Sequence, residues 1–551
     1  MKRIHGRTRW GRLAAIFGAA AVTALQCLTV PAFAGFELPP GERITNLPAI
    51  PRNMPQKEAY ELYDPVIGRN FDIKNLWMRA DLRVRPEMRN NACFGLAQGA
   101  GGTCNSFGTR GTAAGGGNKG NDMFVQQWMR LGIGYDLYPD VNFYVEIIDS
   151  ANWGSNGAAT NAGNGGDPLN HNGASASGAG NGGRLGVRAA YMLIRNLADV
   201  QGLSVKIGRQ YVVFGNHSLF GHFDWANTGY SHDGVMFAYQ TKNWDSYFGW
   251  FRNSESDLGQ ASPVGSGAPN IAGSGAQDAN RDADMFIFYN QIKMVPGMVI
   301  EPFYVLYQNR YGSADFAGQG LGTAKHSNQT RHMVGNRIEM RKGGFDFSNE
   351  IAYQFGQMGQ AGACQGEQKC IHINAWATRN WIGYTFYDTA WKTRIAFNLD
   401  YASGDSRNNT CTNGSNCKTA NTFENFFPTN HIHMGYMDVQ AWKNMLSPSV
   451  NLQARPSARD HIELWYTNLN LANSKDCWYR AAQGCYVFSN ANNTKTHIGD
   501  EIDVSYTRMF ADGKVALQTT YGTIFSGGYL TSTLNQTQNQ HWAYMSLWMN
   551  F

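Results

Sequence analysis

Residues Lys74 to Arg89 alternate in a way few soluble chains tolerate. In an extended chain successive side chains point to opposite sides, which sets Leu76, Met78, Ala80, Leu82, Val84 and Met88 on one face. The other face carries Trp77, Arg79, Asp81, Arg83, Arg85, Glu87 and Arg89. Six charges on one strand face suit a barrel whose apolar side meets lipid and whose polar side lines a watery interior. Composition agrees. Charged residues make up 16% of the chain, against about 25% in soluble domains. Aromatics reach 13%, with 63 glycines among 551 residues. After residue 34 no apolar run approaches 18 residues, and mean hydropathy is −0.40. A helical membrane protein is therefore excluded. The fold class expected is all-β: a transmembrane antiparallel β-barrel of about 18 strands.

The same period continues along the chain. After 74–89 it predicts strands near 124–136, 141–150, 184–195, 203–213, 234–240, 244–253, 283–292, 298–308 and 331–341. Further strands are expected at 344–356, 370–386, 391–403, 448–454, 460–470, 497–508, 515–525 and 539–551, eighteen in all. Connections alternate long and short, as in barrels with short periplasmic turns and long extracellular loops. The long intervals include 214–233 and 404–447. Segments 154–183 and 253–283, rich in Gly, Ser, Asn and Ala, read as surface loops, and one long loop folding inward as a pore constriction is an open alternative. In the last strand Ala543, Met545, Leu547, Met549 and Phe551 share a face, a pattern that resembles the terminal strand of outer-membrane barrels.

Residues 1–34 read as an export signal, with basic Lys2, Arg3, Arg7, Arg9 and Arg12, an apolar stretch from Leu13 to Val30, and Ala32-Phe33-Ala34 before Gly35. Without those five cations the chain holds 41 basic and 41 acidic residues. That neutrality argues against nucleic-acid binding. Domain organisation is then a signal over 1–34, a periplasmic segment over 35–73 and the barrel over 74–551, placed in the outer membrane of a Gram-negative bacterium. Eight cysteines remain, in close pairs: Cys93 with Cys104, Cys364 with Cys370, Cys411 with Cys417, and Cys477 with Cys485. Disulfides are the economical reading in an exported chain, since the spacings do not suit zinc. No metal and no cofactor are expected. The stretch with His217, His222, His232, Asp224 and Asp233 lacks tight ligand spacing.

A family resemblance rests on longer runs. Val205-Lys-Ile-Gly-Arg-Gln-Tyr-Val-Val-Phe-Gly215, Leu219 to Gly229 and His232-Asp-Gly-Val235 resemble the alginate export family of outer-membrane barrels. So do Tyr401-Ala-Ser-Gly-Asp405, Phe423 to His431, Gly435-Tyr-Met-Asp438, Trp442-Lys-Asn444 and Gly499-Asp-Glu-Ile-Asp503. The resemblance implies an eighteen-stranded monomeric barrel with an electropositive pore that releases an anionic polysaccharide. Two departures bear on the substrate: no short connection is long enough for an inward periplasmic loop, and the cysteine-bearing loops are peculiar to this chain.

Strand parity places Arg79, Arg83, Arg85, Arg130, Arg188, Lys206, Arg337, Arg341 and Arg394 in the lumen, with Asp81, Glu87, Glu339, Glu501 and Asp503 among them. Arg209 is off by one and reaches the lumen only through a bulge. Guanidinium groups match carboxylates with fixed forks of donors, so these residues are candidates for selecting an anion; the competing reading is a salt-bridged wall. The expected function is passive passage of an anionic polymer or small anionic solute, with lipid and solute as partners and periplasmic or extracellular proteins as further ones. Alternatives are a scaffold or sheath for a partner protein, such as one that transfers electrons, and an unselective general porin. No catalytic set is brought together, so an enzyme is not expected.

Overall fold

A computed structural model describes residues 73–91, 122–153, 185–226, 229–254, 283–309, 329–359, 370–405, 419–479, 485–487, 493–534 and 538–550. Contacts divide the chain into Met1–Ile44 and Thr45–Phe551; the first unit, which includes residues 1–34 read above as an export signal, lies outside the described residues.

Among the described residues eighteen long strands form one antiparallel ring. They are β1 (Leu76–Asn90), β2 (Asp122–Tyr138), β3 (Val141–Trp153), β4 (Leu185–Ile194), β5 (Leu203–Gln210) and β6 (His232–Gln240). Next come β7 (Trp244–Ser254), β8 (Ala283–Ile292), β9 (Met298–Asn309), β10 (Gln329–Lys342), β11 (Phe345–Gly359) and β12 (Cys370–Thr385). The ring is completed by β13 (Arg394–Ala402), β14 (Met445–Ser457), β15 (Asp460–Leu471), β16 (His497–Phe510), β17 (Val515–Ser526) and β18 (Gln540–Asn550). Each strand pairs with its sequence neighbours, and β1 closes the ring on β18 through pairs such as Arg83↔Trp548 and Arg89↔Trp542. Closure leaves no strand edge unpaired, the condition for crossing a bilayer with strands.

Burial is inverted relative to a soluble protein. On β1 the charged residues Asp81, Arg83, Arg85, Glu87 and Arg89 are buried while Met78 is 58% exposed. Around the ring Phe237, Phe248 and Phe288 sit in register on neighbouring strands and all face outward. Aromatics gather where the strands end. Tyr138, Trp244, Phe345, Trp391 and Phe510 are exposed at the short-turn end, and Trp250, Trp376 and Phe525 toward the long-loop end, the two girdles of a membrane barrel. No helix among the described residues is long and apolar enough to span a membrane.

Eighteen strands and their loop alternation match the sequence expectation, with two instructive differences. β5 stops at Gln210 rather than at residue 213, because Tyr211 to Phe214 turn into the lumen. β14 runs longer than 448–454, through Pro448 and Pro456. Segments 154–183 and 253–283, read as surface loops, lie almost wholly outside the described residues.

Candidate functional site

Two connections leave the wall and pack inside the barrel: residues 211–226 and 229–231 between β5 and β6, and residues 421–444 between β13 and β14. They lie in long intervals expected to be external. Both are rich in aromatics, and burying these against inward apolar side chains removes a large area from water. Phe214, Leu219, Phe220, Phe426, Phe427 and Trp442 share one cluster with Met285, Ile287, Val305 and Met333 of the wall. The segments also bond to each other. Phe220 and Phe427 form a parallel bridge, Gly221 N–H donates to the Phe427 carbonyl at 2.8 Å, and Thr429 N–H to the His217 carbonyl at 2.9 Å.

The first segment is gripped at one turn. Arg83 Nη1 donates to the carbonyls of Asp224 at 2.6 Å and Trp225 at 2.8 Å. Arg85 Nη1 donates to the same Trp225 carbonyl at 2.8 Å, and its guanidinium lies 3.4 Å from the Trp225 ring centroid. The Asp224 carboxylate receives Arg130 Nη1 at 2.9 Å on Oδ2 and Arg188 Nη2 at 3.0 Å on Oδ1. Burial alone would push the Asp224 carboxyl up, but Arg130, His222 and Arg188 together hold it far below the usual carboxylate range. Gly229, at φ +63°, permits this grip, because a Cβ there would meet Arg188 Nη2 and the His222 carbonyl.

The second segment rests on acids. Tyr436 N–H donates to Asp503 Oδ2 and Met437 N–H to Glu501 Oε1, each at 3.0 Å. Gly435, at φ +85°, makes that approach possible, since a Cβ there would collide with the Glu501 carboxylate. Tyr436 Oη donates to Glu463 at 2.6 Å. Lys443 and Glu424 pair at 2.7 Å with both side chains fully buried. Where the segments meet, His431 stacks on Trp225 with ring centroids 3.4 Å apart. Burial lowers the His431 pKa despite Asp438 beside it. Neutral His431 satisfies both neighbours when Nδ1–H donates to Asp438 and Nε2 accepts from the Tyr544 hydroxyl.

The expected lumen residues fall into several groups. Arg83, Arg85, Arg130 and Arg188 bond to the Asp224 turn, and Asp81 and Glu87 pair with Arg130 and Arg85 beside it. Arg79 pairs with Asp81 at 2.6 Å, and Glu87 sits between Arg85 and Arg89 at 2.6 and 2.8 Å. Arg337 bridges Glu301 and Glu339 on the opposite wall, with Arg341 half-buried further along β10. Arg394 pairs with Asp346 at 2.7 Å. Lys206 lies 5.0 Å from the Tyr191 ring. Glu501 and Asp503 meet the second segment and not the arginine cluster.

Arg209 does not join the inward set. It shares parity with exposed Ile207, stays in register with both neighbouring strands, and pairs with Asp233 at 2.7 Å. The bulge lies instead at Arg188, between the pairs Glu146↔Ala189 and Ile147↔Val187, and it turns Arg188 inward. Of the cysteines, Cys477 is disulfide-bonded, and a short ribbon sets Cys485 opposite Tyr479. Cys370 begins β12, whereas Cys93, Cys104, Cys364, Cys411 and Cys417 lie outside the described residues.

Parity also carried Arg331 and Arg379, which the sequence reading passed over. Arg331 donates to Gln354, whose amide in turn holds the Glu424 backbone. Arg379 pairs with Asp400 at 3.0 Å and faces Trp442. Asp224 was marked only by its place in the Leu219 to Gly229 run and among the histidines around it, neither of which points to the arginines.

No curated protein matches the sequence. Among solved structures, Acinetobacter baumannii OccAB2 superposes with a TM-score of 0.49 at 10% identity, covering 87% of this chain and 98% of that one. Pseudomonas aeruginosa OccK9 (OpdG) gives 0.48 at 10% identity, covering 87% and 99%. The outer membrane protein OprD from the same organism gives 0.47 at 7%, covering 87% and 93%. The alginate export family matches residues 76–544, nearly the whole barrel, and the chain belongs to that family of outer-membrane β-barrels.

Proposed function

We propose that this outer-membrane barrel is a channel for the passive passage of carboxylate-bearing anions, from small hydrophilic solutes to an anionic polysaccharide. One observation supports the anion preference: Arg83, Arg85, Arg130 and Arg188 converge on a single turn, and two of them hold its carboxylate. Net charge does not supply the preference, because acids are interleaved throughout the wall. Placement does, since a fork of guanidinium donors fits a carboxylate bidentately in a way a diffuse field does not. The family's description, alginate export, names a polymer of carboxylate sugars and suits this chemistry.

Packing of the chain's own segments inside the barrel favours solute passage over sheathing a partner protein. The pairing of Cys477 with Cys485, and of the other six cysteines as neighbours, belongs to the same proposal, as clamps on long loops. The test is the reversal potential of the refolded barrel in a planar bilayer under a salt gradient. An anion-preferring potential that Arg130→Ala weakens is expected. An unselective or cation-preferring current would make the barrel a general porin.

A further inference from the structure

The lipid-facing side of the wall is not apolar everywhere. On β11 and β12 the outward side chains run between two aromatic rows: Phe345 pairs with Tyr384 at the short-turn end, and Tyr353 with Trp376 toward the long loops. Halfway between the rows Asn349 and Asn380 stand directly opposite each other, four residues from either row. Strand rise and tilt make that about 10 Å of height, so the two amides lie near the middle of an apolar band about 25 Å tall. Asn349 Nδ2 donates to Asn380 Oδ1 at 2.6 Å, and Asn380 Nδ2 to the Thr378 hydroxyl and the Leu399 carbonyl, each at 3.2 Å. Asn336 on β10 is their diagonal neighbour, since Ile338 pairs with Asn349. It shares the outward parity of exposed Val334, while Arg337 next to it is buried. Among the described residues the Asn336 amide makes no hydrogen bond, and Asn349 Oδ1 accepts none. Water would satisfy these groups on a soluble surface, but hydrocarbon offers them nothing. The row of Phe237, Phe248 and Phe288 shows the contrasting face, one given over to lipid.

We infer that the patch of Asn336, Asn349 and Asn380 is a lateral interface, covered in the membrane by a second copy of this chain. An amide both donates and accepts, so an uncharged patch of amides complements itself. A twofold axis through the patch lets Asn336 of each copy meet the Asn349 and Asn380 pair of the other, which is how identical surfaces close into a dimer. Pro302 and Thr378 lie in the same row as Asn336 and are compact. They let two walls approach closely, as small residues do between membrane helices. Lipid chains cover apolar side chains equally well but bring no donor or acceptor to the amides. The pairing departs from the monomer that the family resemblance implies, and it is independent of which solute the channel passes.

The test mixes donor-labelled and acceptor-labelled full-length barrels refolded in phosphatidylcholine liposomes and follows energy transfer as added lipid dilutes the protein. The wild type should give more transfer than randomly placed barrels. Asn336→Leu should lower the association constant by about fivefold, the scale of one hydrogen bond between membrane spans. The double variant Asn349→Leu/Asn380→Leu should lower it at least as much, whereas Phe248→Leu, on the outward row of β6 to β8, should leave it unchanged. Denaturant titration of the dilute barrels separates an interface from a brace between strands. At an interface Leu suits lipid better than Asn, so both Asn variants should be at least as stable as the wild type while associating less. A brace would instead lose stability and keep its association. Heat-shifted gel migration reports that each variant is folded, and the wild-type arm stands without them. Wild-type transfer no higher than random, or transfer that both Asn variants retain at the wild-type level, would overturn the inference.

Discussion

The guanidinium of Arg85 lies 3.4 Å from the centroid of the Trp225 ring while its Nη1 donates to the Trp225 carbonyl at 2.8 Å. One wall residue thus grips the inner segment by ring and backbone together. Arg85→Lys keeps the charge but loses the planar fork and the stack, and should lower unfolding free energy by about 2 kcal/mol. Denaturant titration of the barrel in lipid checks this; a variant as stable as the wild type would show that the contact contributes nothing.

Acid should loosen the inner segments in two stages. His431 and Asp224 both have lower pKa values in the folded barrel than they ordinarily show, so the unfolded chain binds protons more readily at each. The stability each contributes is full above its ordinary value and is lost as pH falls toward the folded value. His431 begins to lose its share below 6.5 and Asp224 only below 3.8. Unfolding midpoints followed from about pH 8 to about pH 3 should therefore fall first near the histidine value. His431→Gln should weaken that first stage and leave the second.

Lys443 and Glu424 form an ion pair with no exposure on either side. Removing one partner strands a buried charge, so Lys443→Met should cost about 3–5 kcal/mol. The double variant with Glu424→Gln should recover most of the loss, because the stranded charge is gone. Additive losses in the double-mutant cycle would contradict the pairing.

Phe248 stands in the outward row with Phe237 and Phe288. Phe248→Arg should cost about 2–4 kcal/mol on refolding into bilayers, as for a cation on the lipid face near the midplane. Its ion preference should stay that of the wild type. A changed reversal potential would place Phe248 on the wrong side of the wall.

The barrel was legible because its alternation is extreme: a strand such as 74–89, with charge on one face and Met and Leu on the other, has few other homes. Parity likewise found the inward arginines wherever strands are regular. What it did not reveal is the bulge, which was expected at Arg209 and lies instead at Arg188, because an extra residue in one strand leaves no mark in the local pattern. The inner segments were the harder part. Their folding depends on contacts such as Phe220 with Phe427, about two hundred residues apart in sequence. The family runs from Leu219 to Gly229, from Phe423 to His431 and from Gly435 to Asp438 fall on these segments. Only the structure shows that Asp224 on one run meets arginines of β1, β2 and β4.

The central claim is that the lumen passes carboxylates by offering them placed arginines. Its most direct test is liposome swelling with the purified barrel, comparing glucuronate with glucose, which is similar in size but uncharged. The account predicts faster entry of glucuronate, with the difference reduced by Arg130→Ala. Equal rates for the two sugars would contradict it.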